Sequence, residues 1–352
     1  MKEKKYYTLY KTIKEKIIKS EYKVGEKIES KRIMADKFGC SVITVETAFR
    51  ALEDEGYITA KERSGYFVNK IDSANFHKEI SQKPIINLLD EKVNSPDSEF
   101  EYSIWFKTIR KVISEKGEEI FIKSPNKGCP ILRNAIAMYL LRYRGMIANP
   151  EQIIIGSGSE QLYETVLRTL GHNYTYGIEN PSYRQIEAVY KSEGVTYKKL
   201  KMGRDGIETN QLKEAIDVIH VTPFKSYPTD ITAPISKRYE YLNFAKNGKY
   251  IIEDDFNSEF FIPGQPIESL YSLDKNNSVI YINTFSKSIS PSMRMGYMIL
   301  PEKLLQTYEE NMGFYSCTVP VLDQYILAEF INSGNFERHL NRMRRRIKKA
   351  PR

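Results

Sequence analysis

Apolar residues recur at helical spacing near the start of the chain and give way to short, strand-like runs farther along. Leu9, Ile13, Ile17 and Ile18 share one face of a 3.6-residue repeat, predicting an amphipathic helix that ends before Val24-Gly25. Ser30 is placed to cap a second helix reaching Phe38, with Ile33, Met34 and Phe38 directed inward. Gly39 permits a tight turn, and Ser41 caps a third helix from Val42 to Glu55 that buries Val45, Ala48, Phe49 and Leu52. Two strand-like segments follow, Gly56–Ala60 and Gly65–Val68, with Lys61-Glu-Arg-Ser64 as a charged tip. A helix, a helix-turn-helix and a β-wing make the winged-helix layout, which lays its third helix in the major groove of DNA.

From Ile85 onward apolar runs alternate with helical patterns. The predicted strands are Gln152–Ile155, Tyr174–Ile178, Thr196–Leu200, Val218–Val221, Tyr250–Glu253, Val279–Asn283 and Tyr297–Leu300. Helices fit between them at Glu160–Leu170, Tyr183–Ser192 and Ile235–Lys246, and two more close the chain at Val319–Asn332 and Phe336–Lys349. Such alternation predicts an α/β body, a mainly parallel sheet covered by helices, with ligands at the carboxyl ends of its strands. Lys70 to Lys83 lacks periodicity and reads as a tether. The expected division is a DNA-binding head over 1–70, a linker over 71–84 and a body over 85–352.

Charge sharpens this picture. Residues 1–70 carry 16 Lys/Arg against 11 Asp/Glu, and residues 338–352 carry 8 basic residues and no acid. Of the total of +8, the stretch 71–337 is therefore left at −5. A basic head suits a phosphate backbone; an acidic middle does not. No apolar run approaches the roughly 20 residues of a membrane span. Cys40, Cys129 and Cys317 are odd in number and far apart, which excludes an intrachain disulfide framework, points to a reducing cytoplasm and offers no metal-binding spacing.

The chemistry concentrates in Thr284-Phe-Ser-Lys-Ser-Ile-Ser-Pro-Ser-Met-Arg294, with Ile251-Ile-Glu-Asp-Asp255 upstream. Pyridoxal phosphate needs such a set: a lysine for its aldehyde, a carboxylate for its pyridine nitrogen, and hydroxyls with a guanidinium for its phosphate. Gly156-Ser-Gly-Ser159 joins a strand to a helix, where backbone amides and the helix dipole favour an anion.

Leu9 to Val68 resembles the winged-helix domain of the GntR regulators through Glu29-Ser-Lys-Arg32, Ser41-Val-Ile-Thr-Val45 and Gly65-Tyr-Phe-Val68. The body resembles the fold type I aminotransferases, and the order of parts resembles the MocR branch of GntR regulators. That resemblance rests on Trp105, Gly128–Ala137, Arg144-Gly145, Glu179–Tyr183, Val221-Thr-Pro223 with Pro228-Thr229, Ile251–Asp255 and Thr284–Lys287. It implies that Ser30, Arg32, Ser41, Thr44, Ser64 and Gly65 meet DNA. It implies that Lys287 joins pyridoxal 5'-phosphate, that Asp254 holds the pyridine nitrogen, and that Tyr183 stacks on the ring. Ser157, Gly158, Ser159, Thr284, Ser286 and Arg294 would hold the phosphate.

The pattern also departs from the family. Val42 occupies the place of a recognition-helix arginine and Glu29 that of a proline. Phe256 replaces a tyrosine whose hydroxyl meets the cofactor, a role open to Tyr227, and Glu160 replaces a glutamine beside the phosphate loop. The family's small C-terminal subdomain and its carboxylate-binding arginine have no counterpart before Arg352, so a truncated body without transaminase activity is expected. The expected protein is a cytoplasmic, homodimeric regulator that binds double-stranded DNA, with pyridoxal phosphate or an amine-bearing metabolite as effector. The alternatives are a pyridoxal-phosphate enzyme with a regulatory head, and a degenerate regulator without cofactor.

Overall fold

The structure, a computed structural model, describes residues 5–62, 64–70, 100–246, 248–260 and 268–349. The expected linker, 71–84, and Arg63 of the wing tip lie outside them. The chain divides into two compact units, Met1–Val93 and Asn94–Arg352.

In the first unit, α1 (Lys5–Ile18), α2 (Lys31–Phe38) and α3 (Val42–Asp54) precede an antiparallel pair, β1 (Ile58–Lys61) and β2 (Gly65–Val68). Leu9, Ile13, Ile17, Met34, Val45, Ala48, Phe49 and Leu52 form its core with Ile28, Ile58 and Val68. Ser30 and Ser41 cap α2 and α3 as expected, accepting from Ile33 N and Thr44 N. Two expectations fail: Ile33 and Phe38 are exposed, and Ala35 takes the inward place beside Met34. On an eight-residue helix the apolar count exceeds the single face that α1 and α3 can cover. Glu29 serves as a tether for α2, accepting from Tyr22 Oη and Lys37 Nζ, both at 3.0 Å.

The second unit is built on a seven-stranded sheet of order β3-β9-β8-β7-β6-β4-β5. These strands are β3 (Ile153–Gly156), β4 (Thr175–Asn180), β5 (Thr196–Lys201), β6 (Val218–Val221), β7 (Tyr250–Asp254), β8 (Val279–Thr284) and β9 (Gly296–Ile299). All run in one direction except β9, which is antiparallel to both of its neighbours, β3 and β8. The helices are α4 (Tyr102–Lys116), α5 (Pro130–Arg144), α6 (Ser159–Leu170), α7 (Arg184–Ser192), α8 (Ile235–Phe244), α9 (Leu270–Leu273), α10 (Leu305–Met312), α11 (Val321–Asn332) and α12 (Asn335–Lys349). Alternate strand residues enter different cores: Ile252 joins Leu162 and Val166 of α6, whereas Ile251 joins Tyr241 and Leu242 of α8.

Gln324 of α11, fully buried, fixes the entry to α5. Its Oε1 accepts from Cys129 N at 2.6 Å, and its Nε2 donates to Ser124 Oγ at 3.0 Å and Val319 O at 2.8 Å. Gly128 beside it has φ +92°, and a Cβ there would stand 2.5 Å from Ile155 Cγ1. Gln324→Leu orphans these groups and is expected to cost about 1–3 kcal/mol. Urea unfolding followed by Trp105 fluorescence reads the loss directly, because Trp105 packs on Phe330 of α11.

Candidate functional site

The carboxyl ends of β3, β4, β6, β7 and β8 converge on one edge of the sheet, which is where parallel α/β sheets bind ligands. Antiparallel β9 brings its amino end to the same edge, paired at Thr284–Gly296, and so adds Arg294. A cavity of about 300 Å³ lies there, lined by Ser159, Glu160, Tyr163, Tyr183, Thr222, Tyr227, Asp254, Phe256, Thr284, Ser286, Lys287 and Arg294. The structure thus gathers Lys287, Asp254, Tyr183, Tyr227, Ser159, Thr284, Ser286 and Arg294 around one space. Ser157 lines a separate cavity of about 310 Å³ that shares Arg294, and its amide donates to Gln161 Oε1 at 3.1 Å.

Strand alternation decides which acid faces the cavity. Asp254 closes β7 on the α6 face, while Asp255 turns to Arg144, whose Nη2 lies 2.9 Å from its Oδ2, and accepts from Tyr281 Oη at 2.8 Å. Asp254 is buried and accepts a short hydrogen bond from Tyr163 Oη; His220 Nε2 lies 3.9 Å away. Burial raises the Asp254 carboxyl to about 7; Tyr163 opposes that rise, and Asp255 and Glu160 add to it. His220, also fully buried, is lowered to about 3, so its ring stays neutral, and its Nδ1 lies 3.0 Å from Tyr190 Oη. Tyr163 and His220 were missed by sequence reasoning. Their signals are slight: Tyr163 stands one helical turn after Ser159, and His220 interrupts an otherwise apolar strand.

Lys287 remains solvent-accessible, donates to Asn257 Oδ1, and has its ammonium 5.3 Å and 5.2 Å from the ring centres of Phe256 and Phe260. Partial desolvation and the Lys225 charge lower its pKa, the direction a nucleophilic amine requires. At the opposite corner α6 begins, with Gly158 at φ +112° as its cap. A Cβ on Gly158 would meet Arg294 Nη2 at 2.7 Å and displace the guanidinium, and the φ of +112° itself favours glycine. That guanidinium pairs with Glu160 Oε2 at 2.8 Å. Tyr183 and Tyr227 form a wall, edge to face with centres 6.3 Å apart. The donors and the cradle fit a phosphorylated pyridine aldehyde, with Glu160 as the one competing anion.

In the head, Ser30 and Ser41 cap helices, Thr44 Oγ1 lies 2.8 Å from Ser41 Oγ, and Arg32 is exposed. Ser64 lies in the wing turn and Gly65 opens β2; Gly65 has φ +116°, and a Cβ there would meet Lys27 Cε at 2.9 Å. No helix among the described residues is long and apolar enough to cross a membrane.

Buried Glu179 accepts from Thr222 N at 3.1 Å and Ser226 Oγ at 2.6 Å, tying the end of β4 to the loop after β6. Burial raises it to about 7, against about 4 when unfolded. The folded chain therefore binds the extra proton between those values, and stability falls as pH rises from about 4 to about 7. Glu179→Gln keeps both contacts without ionising. Urea unfolding is expected to show it more stable than the wild type by about 1–3 kcal/mol at pH 8, with that gain absent near pH 4.

Residues 5–68 match the family model of bacterial regulatory proteins, gntR family. The chain is 35% identical to the HTH-type transcriptional regulator YdeL of Bacillus subtilis, over 98% of this chain and 77% of that protein. It is 28% identical to the rhizopine catabolism regulatory protein MocR of Rhizobium meliloti, over 96% of this chain and 73% of that protein. It is also 28% identical to the pyridoxine biosynthesis transcriptional regulator PdxR of Corynebacterium glutamicum, over 91% and 71%. Among solved structures, an archaeal alanine:glyoxylate aminotransferase matches with a TM-score of 0.63 and 24% identity, over 69% of this chain. The chain spans 63% of that aminotransferase's length. With a GntR helix-turn-helix, an aminotransferase-like body and 35% identity to YdeL over 98% of its own length, the chain belongs to the MocR subfamily of GntR transcriptional regulators.

Proposed function

We propose that this DNA-binding regulator holds pyridoxal 5'-phosphate in the cleft of its body and responds to an amine-bearing metabolite that meets it there. The head, 1–70, reads the operator, and the body from 85 onward senses. The observation that carries this reading is the convergence of Asp254, from the end of β7, with Lys287 and Arg294, from the connection between β8 and β9, on one cavity. Bound there, the cofactor supplies an aldehyde reactive toward primary amines.

This chain's residues divide the remaining work. Lys287 offers a partly desolvated amine to the aldehyde carbon. Asp254, oriented by Tyr163 and flanked by His220, receives the pyridine nitrogen, whose positive charge would draw that carboxyl back to its ionised form. Arg294, Ser159, Thr284 and Ser286 receive the phosphate, Tyr183 packs the ring, and Tyr227 offers the hydroxyl that Phe256 lacks. The pyridoxine biosynthesis role in the name of PdxR supports the same ligand class. A homodimer suits a helix-turn-helix head, which reads paired half-sites one helical turn apart. Sedimentation of the full chain at twice its 41.0 kDa mass would support it, and a monomer at working concentration would sink it.

A second reading, a body without cofactor, is favoured by the Glu160–Arg294 pair, which fills the phosphate corner with the protein's own anion. Spectroscopy separates the two. With pyridoxal phosphate added, wild-type protein is expected to develop a visible absorbance that borohydride fixes and that Lys287→Ala lacks. No difference between the two proteins would support the cofactor-free reading. Glu160→Gln removes the competing charge and is expected to tighten cofactor binding about five- to ten-fold, equivalent to about 1–1.4 kcal/mol. A titration of that absorbance measures it.

A further inference from the structure

The outward face of α3 is apolar where it would meet bases. Val42 and Ile43 in its first turn are 42% and 75% exposed. The polar groups around them are engaged elsewhere: Ser41 Oγ accepts from Thr44 N at 3.2 Å and lies 2.8 Å from Thr44 Oγ1, and Thr47 Oγ1 donates to Ile43 O at 2.9 Å. Glu46 is held by Lys31 at 2.9 Å. Arg, Lys, Asn, Gln, the carboxylates and the Ser/Thr hydroxyls read base edges by hydrogen bonding, and the first turn, Val42 to Val45, offers only the Thr44 hydroxyl, which is bonded to Ser41.

The second helix of a helix-turn-helix enters the major groove with its amino-terminal residues against the base edges. On those edges the one apolar group is the thymine C5-methyl. A β-branched side chain set against a cytosine amine or guanine O6 would strip water and return no hydrogen bond. Set against a thymine methyl it buries hydrocarbon on both sides, and Val and Ile do so with little rotamer freedom to lose. We propose that Val42 and Ile43 read thymine methyls, so that each operator half-site carries thymine at one or two adjacent steps facing the start of α3. The net charge of +5 over residues 1–70 supplies the attraction to phosphates, and these two side chains add sequence choice at the steps they face.

The test begins by selecting duplexes from a randomised library with the full-length chain, then remaking the best duplex with deoxyuridine in place of each half-site thymine. Uracil keeps every hydrogen-bonding group and lacks only the methyl. At one or two adjacent steps the substitution is expected to weaken binding about four-fold each, the worth of one buried methyl. That ratio should hold at low and high salt while overall affinity falls with salt. Ile43→Ala should lose sensitivity at its step and keep its melting temperature, because Ile43 is exposed, and Val42→Arg should move the selected base toward guanine. Uniform tolerance of uracil would overturn the proposal. An equal uracil penalty in wild type, Ile43→Ala and Val42→Ala would do the same, as would a library with no enriched site.

Discussion

The acidic end of β7 sets the terms for the rest of the body. Glu253, Asp254 and Asp255 follow one another in the middle of a buried sheet, and each carboxyl needs compensation or a proton. Alternation sends Glu253 and Asp255 away from the cavity. Glu253 accepts from the amides of Leu270 and Tyr271, both at 2.8 Å, and burial still raises its carboxyl. Asp255 takes Arg144, which also donates to Ser258 Oγ and stands 4.0 Å from Glu259. With Glu253 held by two amides and Asp255 paired with Arg144 on the far face, Asp254 is the one of the three that turns toward the cleft. The guanidinium of Arg144 thus works on the site from the other side of the sheet. A buried charge of this kind is tolerable only because its partners are present.

Much of this was legible in the chain. All seven strands of the sheet fall within two residues of the expected runs, because short β-branched stretches between Gly/Pro turns leave few alternatives. Several proposed ligands sit at strand ends that the pattern marks: Asp254 closes β7, Thr284 closes β8, and Arg294 lies two residues before β9. Other features depend on pairing that no local pattern encodes. Antiparallel β9 is invisible in Tyr297–Leu300 itself, yet it brings Arg294 to the shared edge. Tyr163 and His220 read as ordinary core residues until the register of β6, β7 and α6 brings them beside Asp254. Ile33 and Phe38 erred in the opposite sense, because a short helix offers less buried face than its apolar residues suggest.

The departures from the family pattern fall in two places, the cleft of the body and the head. The floor of the cleft keeps its carboxylate and lysine, while Phe256 and Glu160 alter its walls and phosphate corner. In the head, Glu29 has become a tether for α2. These are changes of contact within an unchanged framework, as expected where a scaffold fixes backbone position and side chains adjust chemistry.

Thr284 and Gly296 face each other across β8 and β9, so Lys287 and Arg294 ride on a single hairpin connection closed by that pair. A chain altered in length within this connection would displace the amine and the guanidinium together. Point substitution can tune either group alone, but insertion and deletion act on both at once. The spacing between them is therefore inherited as one unit, and a lineage that loses it loses both ends of the cleft in a single event.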